Sequence, residues 1–365
     1  MKISRRDLLR RAGGVGAATA LSGGLFHRMV NAQTHSHAQN TGNEATHTGH
    51  GAMGTVGTVD HKRNGFDPSD ILYDWDFGEV SRGRNGQTVR EYTVVAQDRE
   101  IEIAPGLFFP AWTYNGRVPG PSLRATEGDR LRIEFINGSA HPHTIHFHGL
   151  HSARMDGVPG IGAGDIQPGD RTVYEFDAFP FGCHLYHCHS VPLKRHIHKG
   201  LYGAFVIDPD PARHTEQSEA ATRRTFQGAK DSGIREMVMV MNAFDTDFDA
   251  ENEVYAVNSI AFAYQSAPIR IGTDEDVRLY LVNLTEFDPV NSFHLHGNFF
   301  NYYDTGTSLE PTVFTDMIMQ AQAQRGILEF NFRDYEPGMH MFHAHQSEFV
   351  ELGWMGFYDV VEGRP

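Results

Sequence analysis

The segment Phe181-Gly182-Cys183-His184-Leu185-Tyr186-His187-Cys188-His189 holds both cysteines of the chain and three of its 22 histidines. In a β-strand successive side chains point to opposite faces, so His187 and His189 look one way and Cys188 the other. A thiolate on one face and two imidazoles on the other can serve two metal sites joined by one continuous piece of backbone. Three further pairs share the i, i+2 spacing: His146/His148, His294/His296 and His343/His345. A single His-x-His is weak evidence, because most histidines are surface or satisfied core residues. Four pairs, one with a cysteine inside it, supply eight imidazoles and a thiolate.

Outward from that segment the chain reads as β. From about Ile71, short alternating runs such as Arg90-Glu91-Tyr92-Thr93-Val94-Val95 and Arg130-Leu131-Arg132-Ile133-Glu134-Phe135-Ile136 are punctuated by Gly, Pro and Asp turns, a pattern that predicts sandwiches. An internal repeat sets the number of units. Leu123-Arg124 through Asn137 matches Ile269-Arg270 through Asn283 at an offset of 146, His146/His148 match His294/His296 at 148, and His187/His189 match His343/His345 at 156. Motif order is kept and only loop lengths drift. The expected organisation is domain 1 at 67–210, a charged connector at 211–233 and domain 2 at 234–365. Cys188 is replaced by Ala344 in the second copy, and Asn291 stands where His143 stands in the first.

Four His-x-His motifs with an embedded cysteine resemble the multicopper oxidases. The resemblance implies an all-β fold of two cupredoxin-like Greek-key β-sandwich domains and four coppers per chain: one type 1, one type 2 and a type 3 pair. Carried over residue by residue, His146 and His294 take the type 2 copper, while His148, His187, His189, His296, His343 and His345 hold the type 3 pair. A blue copper site needs two imidazoles and a thiolate, with a weak axial ligand or none. His143 lies an odd number of residues before His146, so it faces the side where Cys188 points. Two histidines, His196 and His198, compete for the second imidazole place. Pro192 to Gly203 matches the Pro-x-x-x-His-Ile-x-x-Gly-Leu/Met-Tyr-Gly pattern of two-domain relatives with His196 in the ligand position. Leu201 then falls where many cupredoxins carry an axial methionine, and offers no lone pair. Cys183, odd-spaced from Cys188, reads as a buried free thiol. His141, His151, His184 and His198 read as neighbours of the sites.

Reducing dioxygen to water consumes protons, which calls for carboxylates beside the cluster. Asp156, in Met155-Asp156-Gly157, and Glu348, three residues after His345, match acids to which the family assigns that role. The resemblance implies dioxygen and a small reducing substrate, a phenol or aromatic amine, as reactants. Copper nitrite reductase is the alternative, but that family has an Asp where His146 stands and no His directly after the cysteine. A cuprous or other metal-ion oxidase of copper tolerance is a further alternative; Met237, Met239 and Met241 alternate as core residues rather than forming a methionine-rich insert. With only a short connector between the domains, two-domain relatives close the cluster between chains, so a homotrimer is expected.

The first 32 residues carry six basic groups against one acid and include Ser4-Arg5-Arg6-Asp7-Leu8-Leu9-Arg10, a twin-arginine pattern, followed by a Gly/Ala-rich run too short for a membrane span. They read as a signal peptide (1–32) that sends the protein to the periplasm or the cell exterior, with no membrane anchor. The full chain has a formal net charge of −15, and removal of that peptide makes it more negative, which argues against nucleic acid as a partner. Residues 33–66 are polar and include His35, His37, His47, His50, Met53 and His61. They read as a disordered linker, either a plain solvated one or a copper-collecting arm.

Overall fold

A computed structural model describes residues 57–365; the twin-arginine segment and 33–56 lie outside the described residues. Among the described residues no helix is long and apolar enough to cross a membrane. The first sandwich faces two sheets across a core. One sheet runs in the order Trp75–Asp76, Ser122–Thr126, Tyr202–Asp208, Gly182–His187, His146–Phe147. The other runs Glu79–Arg82, Thr88–Ala104, Arg130–Asn137, Arg171–Asp177, with Leu107–Tyr114 paired to Thr88–Ala104. Alternation places the residues: Leu131, Ile133 and Phe135 turn inward while Arg132 is exposed, and they pack with Leu123, Phe147, Tyr186 and Phe205.

The second sandwich repeats the plan. One sheet runs Val254–Val257, Ile234–Phe244, Asp276–Asn283, Arg325–Asn331, Phe300–Asp304, Val313–Thr315, and the other Ile269–Gly272, Met355–Val361, Gly338–His343, Val290–Leu295, Met317–Ala321. Strand Ile234–Phe244 is buried on both faces. Met237, Met239 and Met241 enter the core of this sandwich, whereas Val238 and Val240 join Ile101, Ile103, Ala204 and Val206 of the first sandwich in a shared apolar layer. Both are cupredoxin-like sandwiches. A buried ion network crosses the same junction: Arg124 bonds Asp208 and Glu236, and Arg278 bonds Glu236 and Glu329.

One expectation about connecting segments changes. The end of the 33–66 stretch is ordered, not disordered: Asp60 caps the helix His61–Asn64, Asn64 exchanges two hydrogen bonds with the Glu102 backbone, and Phe66 is buried in the shared apolar layer. A side-chain amide that mimics a strand partner outweighs the polar composition around it. The charged connector 211–233 contains two short helices. Its helices Ser218–Arg224 and Phe226–Asp231 dock through Arg223 on Glu329 and through Phe226, whose N–H donates to Asp208.

Candidate metal centres

Strand Gly182–His187 and the turn after it carry the arrangement expected from parity. Cys188 Sγ, His143 Nδ1 and His196 Nδ1 form a triangle with edges of 3.2, 3.1 and 3.9 Å. All three residues are buried. His143 arrives on the bridge His143 makes with Ile166, and His196 on the helix Leu193–His198. Two imidazoles and a soft thiolate at one point suit copper. Burial holds His143 down to about 3 and His196 to about 4, so both rings are neutral, as ligands must be. The His143 ring is oriented by Ser139, 2.9 Å from its Nε2, and the Ser139 hydroxyl donates to Asp98. The Thr144 N–H donates to Cys188 Sγ at 3.3 Å. Leu201 is fully buried in the same apolar cluster as Cys188, and its carbonyl accepts the Cys188 N–H.

The competing His198 is excluded from this triangle. Its Nε2 accepts the Asp245 N–H at 2.9 Å, and its ring lies against Phe109 and Phe287. Cys183 is a free, buried thiol pushed up to about 12 by burial. His184 donates from Nε2 to the Pro180 carbonyl, and His141 is an exposed ring against Trp112.

On the other face, His146 and His187 are directly opposed across the strand pair, as are His294 and His343 in the second sandwich. Each set is anchored identically. His146 and His294 donate from Nδ1 to the carbonyls of Asp156 and Asp316 at 2.8 and 3.0 Å. His187 and His343 donate from Nδ1 to the carbonyls of Cys188 and Ala344. A carbonyl can only accept, so these four rings carry the proton on Nδ1 and keep the Nε2 lone pair for a metal. His148 and His187 bring their Nε2 atoms to 2.9 Å, and His296 and His343 theirs to 2.8 Å. Burial lowers His148 to about 3 and His187 to about 4. His189 and His345 complete the sets through backbone N–H bonds to the hydroxyls of Thr144 and Ser292, at 2.9 and 2.7 Å, which stand at the same offset as the first histidine pairs.

The two sets stay apart within the chain. His146, His148 and His187 form one group and His294, His296 and His343 another; among the described residues, every contact between these imidazoles falls within one set. Asp156 reaches His146 Nδ1 at 3.0 Å and His151 at 3.5 Å. Glu348 is exposed on the helix Ser347–Glu351 and bonds none of the eight histidines among the described residues. Sequence reasoning missed Asp316, whose carboxylate stands 3.7 Å from His294 Nδ1. Asp156 follows its histidine by 10 positions and Asp316 by 22, so no spacing signal links them. A last acidic grouping, Asp245, Asp247, Asp249 and Glu253, is a turn: Asp245 accepts three backbone N–H groups and Glu253 the Thr246 N–H.

The second sandwich has no thiolate centre because its place is filled. Trp354 takes the position of Leu201, its carbonyl accepting the Ala344 N–H as that of Leu201 accepts the Cys188 N–H. The Trp354 indole is fully buried and donates to Asn291 at 3.0 Å. Ala344, Asn291 and Trp354 thus replace Cys188, His143 and Leu201.

Family models of the multicopper oxidases match residues 96–212 and 235–364, more than half of the chain. A crystal structure described as a multicopper oxidase superposes with a TM-score of 0.75 at 52% identity, covering 83% of this chain and all of that one. The copper-containing nitrite reductase of Neisseria meningitidis serogroup A is 28% identical over 229 residues, 60% of this chain and 57% of that protein. Laccase-2 of Botryotinia fuckeliana is 34% identical over 142 residues, 36% of this chain and 24% of that protein. The chain therefore spans little more than half, or less, of the length of these curated relatives.

Proposed function

The chain belongs to the multicopper oxidase family, and on that premise we propose that it is a laccase-like oxidase coupling one-electron oxidation of a phenol or aromatic amine to four-electron reduction of dioxygen to two waters. The type 1 copper is held by His143, Cys188 and His196. The type 2 copper and the type 3 pair are held by the eight paired histidines, giving four coppers per chain. One observation carries the reading: Cys188 stands between His187 and His189, with its sulfur in one donor set and its neighbours in the other. Copper supplies the one-electron steps and the place where dioxygen is reduced.

The chain's own residues do the rest. Backbone carbonyls at Asp156, Asp316, Cys188 and Ala344 fix four rings with Nε2 turned to the metal side. The Asp156 and Asp316 carboxylates stand beside the two type 2 ligands, where they hold and pass protons that the reduction consumes, with Glu348 as a third acid. Burial of the type 1 triangle excludes water from it and leaves Leu201 as the non-coordinating neighbour.

Each cluster forms between chains in a homotrimer, a reading supported by the separation of the two histidine sets within one chain. Exposed Phe299, Phe314, Met319 and Met339 lie on strands and turns around the second set, apolar surface that a neighbouring first sandwich covers. Nitrite reduction is the second reading because nitrite reductases are among the relatives; His146 and His189 stand against it. Export to the periplasm by the twin-arginine route completes the proposal.

The test measures copper per chain and oxygen uptake on a phenol, with nitrite offered as competing acceptor. Four coppers and phenol-dependent oxygen uptake are expected; two coppers and nitrite consumption would refute the reading. For assembly, chains lacking His146 and His148 are mixed with chains lacking His343 and His345. Mixed trimers regain activity if clusters are shared, and a fully active monomer rules the trimer out.

A further inference from the structure

The helix that carries His196 ends at Lys199, whose carbonyl accepts the Trp112 N–H at 2.8 Å. The Lys199 side chain turns inward from there. Its Nζ donates to the Pro110 carbonyl and sits over the rings of Phe248, Phe109 and Trp112 at 4.8, 5.0 and 5.9 Å. Lys199 is 6% exposed, and among the described residues no carboxylate lies within ion-pair distance of it. A buried ammonium paired only with a carbonyl and aromatic faces is an expensive way to fill space, so its charge calls for a use.

Trp112 supplies the connection. Its ring centre lies 4.8 Å from that of His196 and 5.1 Å from that of His143, so a single indole separates the ammonium from both imidazoles of the type 1 triangle. Half-buried Asp165, which accepts the Ser190 hydroxyl at 2.6 Å, brings a negative charge to His196 that is the same in every Lys199 variant. Two exposed charges also face this region. Arg195 lies over Trp112 at 5.3 Å, and Asp98 reaches His143 through Ser139. Both are exposed and are screened by solvent and salt, whereas Lys199 is not. Burial and the adjacent Arg195 lower the Lys199 ammonium to about 8, which leaves it charged at neutral and acidic pH.

We infer that Lys199 is a tuning residue for the type 1 copper: its buried positive charge disfavours the more highly charged oxidised ion and raises the potential at which the site takes an electron from the donor. The inference rests on the type 1 assignment made above. A unit charge about 10 Å away through an effective dielectric of about 20 shifts a one-electron equilibrium roughly tenfold, about 59 mV. Leu201 and Lys199 act in the same direction, one by withholding a ligand and the other by its field.

The test is a redox titration of the blue absorption band at pH 6 against a one-electron mediator, in the copper-loaded protein. Lys199→Gln keeps a donor for the Pro110 carbonyl and removes the charge; Lys199→Met removes both; Lys199→Arg keeps the charge. The neutral variants are expected to shift the equilibrium roughly tenfold toward the oxidised site, with the blue band retained and the arginine variant close to wild type. An unchanged potential in Lys199→Gln, or an equal fall in Lys199→Arg, overturns the inference, since packing rather than charge would then be the contribution. Loss of the band in all three variants overturns it as well, because Lys199 would then build the site instead of tuning it. A wild-type protein with no blue band would instead defeat the type 1 assignment itself.

Discussion

Arg124→Met tests the buried network that pins the first sandwich to the second. The Arg124 guanidinium is fully buried and donates to Asp208 at 2.8 Å and Glu236 at 2.8 Å, sandwiched by the rings of Trp75 and Phe226. Methionine fills much of the same volume between those rings, so the cost is electrostatic. Glu236 keeps Arg278 and the Tyr280 hydroxyl, but Asp208 is left with the Phe226 N–H alone. Stranding one partner of a buried pair costs about 3–5 kcal/mol. For a folded body of about 300 residues, that corresponds to a melting point lower by about 5–8 °C. The sign of the pH dependence follows from Asp208, whose carboxyl burial already pushes up and which loses its main counter-charge in the variant. A folded-state value above the unfolded one destabilises where the unfolded acid is ionised, and the penalty fades as pH falls and the buried carboxyl takes a proton. The gap between wild type and variant is therefore wider at pH 8 than at pH 5. Calorimetry of the copper-free proteins at both values reads it. A gap below about 1 kcal/mol, or one indifferent to pH, would refute the reasoning, because a pair worth so little is not buried as described.

Cys188→Ser is expected to abolish the blue band and lower the copper content from four to three per chain; loss of all copper would show that the two faces of the strand are not separate sites. Leu201→Met lowers the type 1 potential by adding a thioether donor, and an unchanged potential removes Leu201 from the axial position. Asp156→Asn and Asp316→Asn keep full copper loading and normal reduction by the donor but slow reoxidation by dioxygen in stopped flow, whereas wild-type reoxidation would make both acids structural. The copper-free chain loses stability as pH falls. His143 and His148 sit at about 3 and His187 and His196 at about 4 when folded, below the roughly 6.5 of an unfolded histidine, so the unfolded chain takes up protons first between those limits. Urea midpoints that do not fall between pH 7.5 and 5 would contradict that.

Periodicity two carried the most information in the sequence. It put Cys188 and His143 on one side and the His-x-His pairs on the other without any knowledge of the sheet, because strand parity is a local property. The repeat was readable for the same reason: strands keep their length while loops drift. What could not be read depends on those loops. Asp316 reaches His294 only because an insertion of strands Phe300–Asp304 and Val313–Thr315 returns the chain to the edge strand beside it. The choice between His196 and His198 required a family pattern, since both follow Cys188 at even spacing and a helix turn, not a strand, orients them. Asn64 looked like part of a polar tail, and its docking on Glu102 is a long-range pairing that composition does not encode.

The replacement of Cys188, His143 and Leu201 by Ala344, Asn291 and Trp354 explains why a duplicated protein has one thiolate centre per chain. Losing the thiolate and one imidazole alone would leave a buried void and an unpaired amide, each costing on the order of 1–3 kcal/mol. Trp354 removes both costs at once, filling the space with the indole and donating its N–H to Asn291 Oδ1, while the Asn291 amide donates to Thr285. The turn that carries the Ala344 carbonyl, which anchors His343, is therefore packed without a void or an unpaired amide. On the proposed function, electrons would then enter from the Cys188 side only, with the second sandwich contributing imidazoles alone. If the proposed head-to-tail trimer forms, every cluster has one electron source, supplied by the chain that contributes its first sandwich. A trimer with one Cys188→Ser chain is then expected to retain two-thirds of its activity, and a complete loss of activity in oxygen-uptake assays of such mixed trimers would refute this independence.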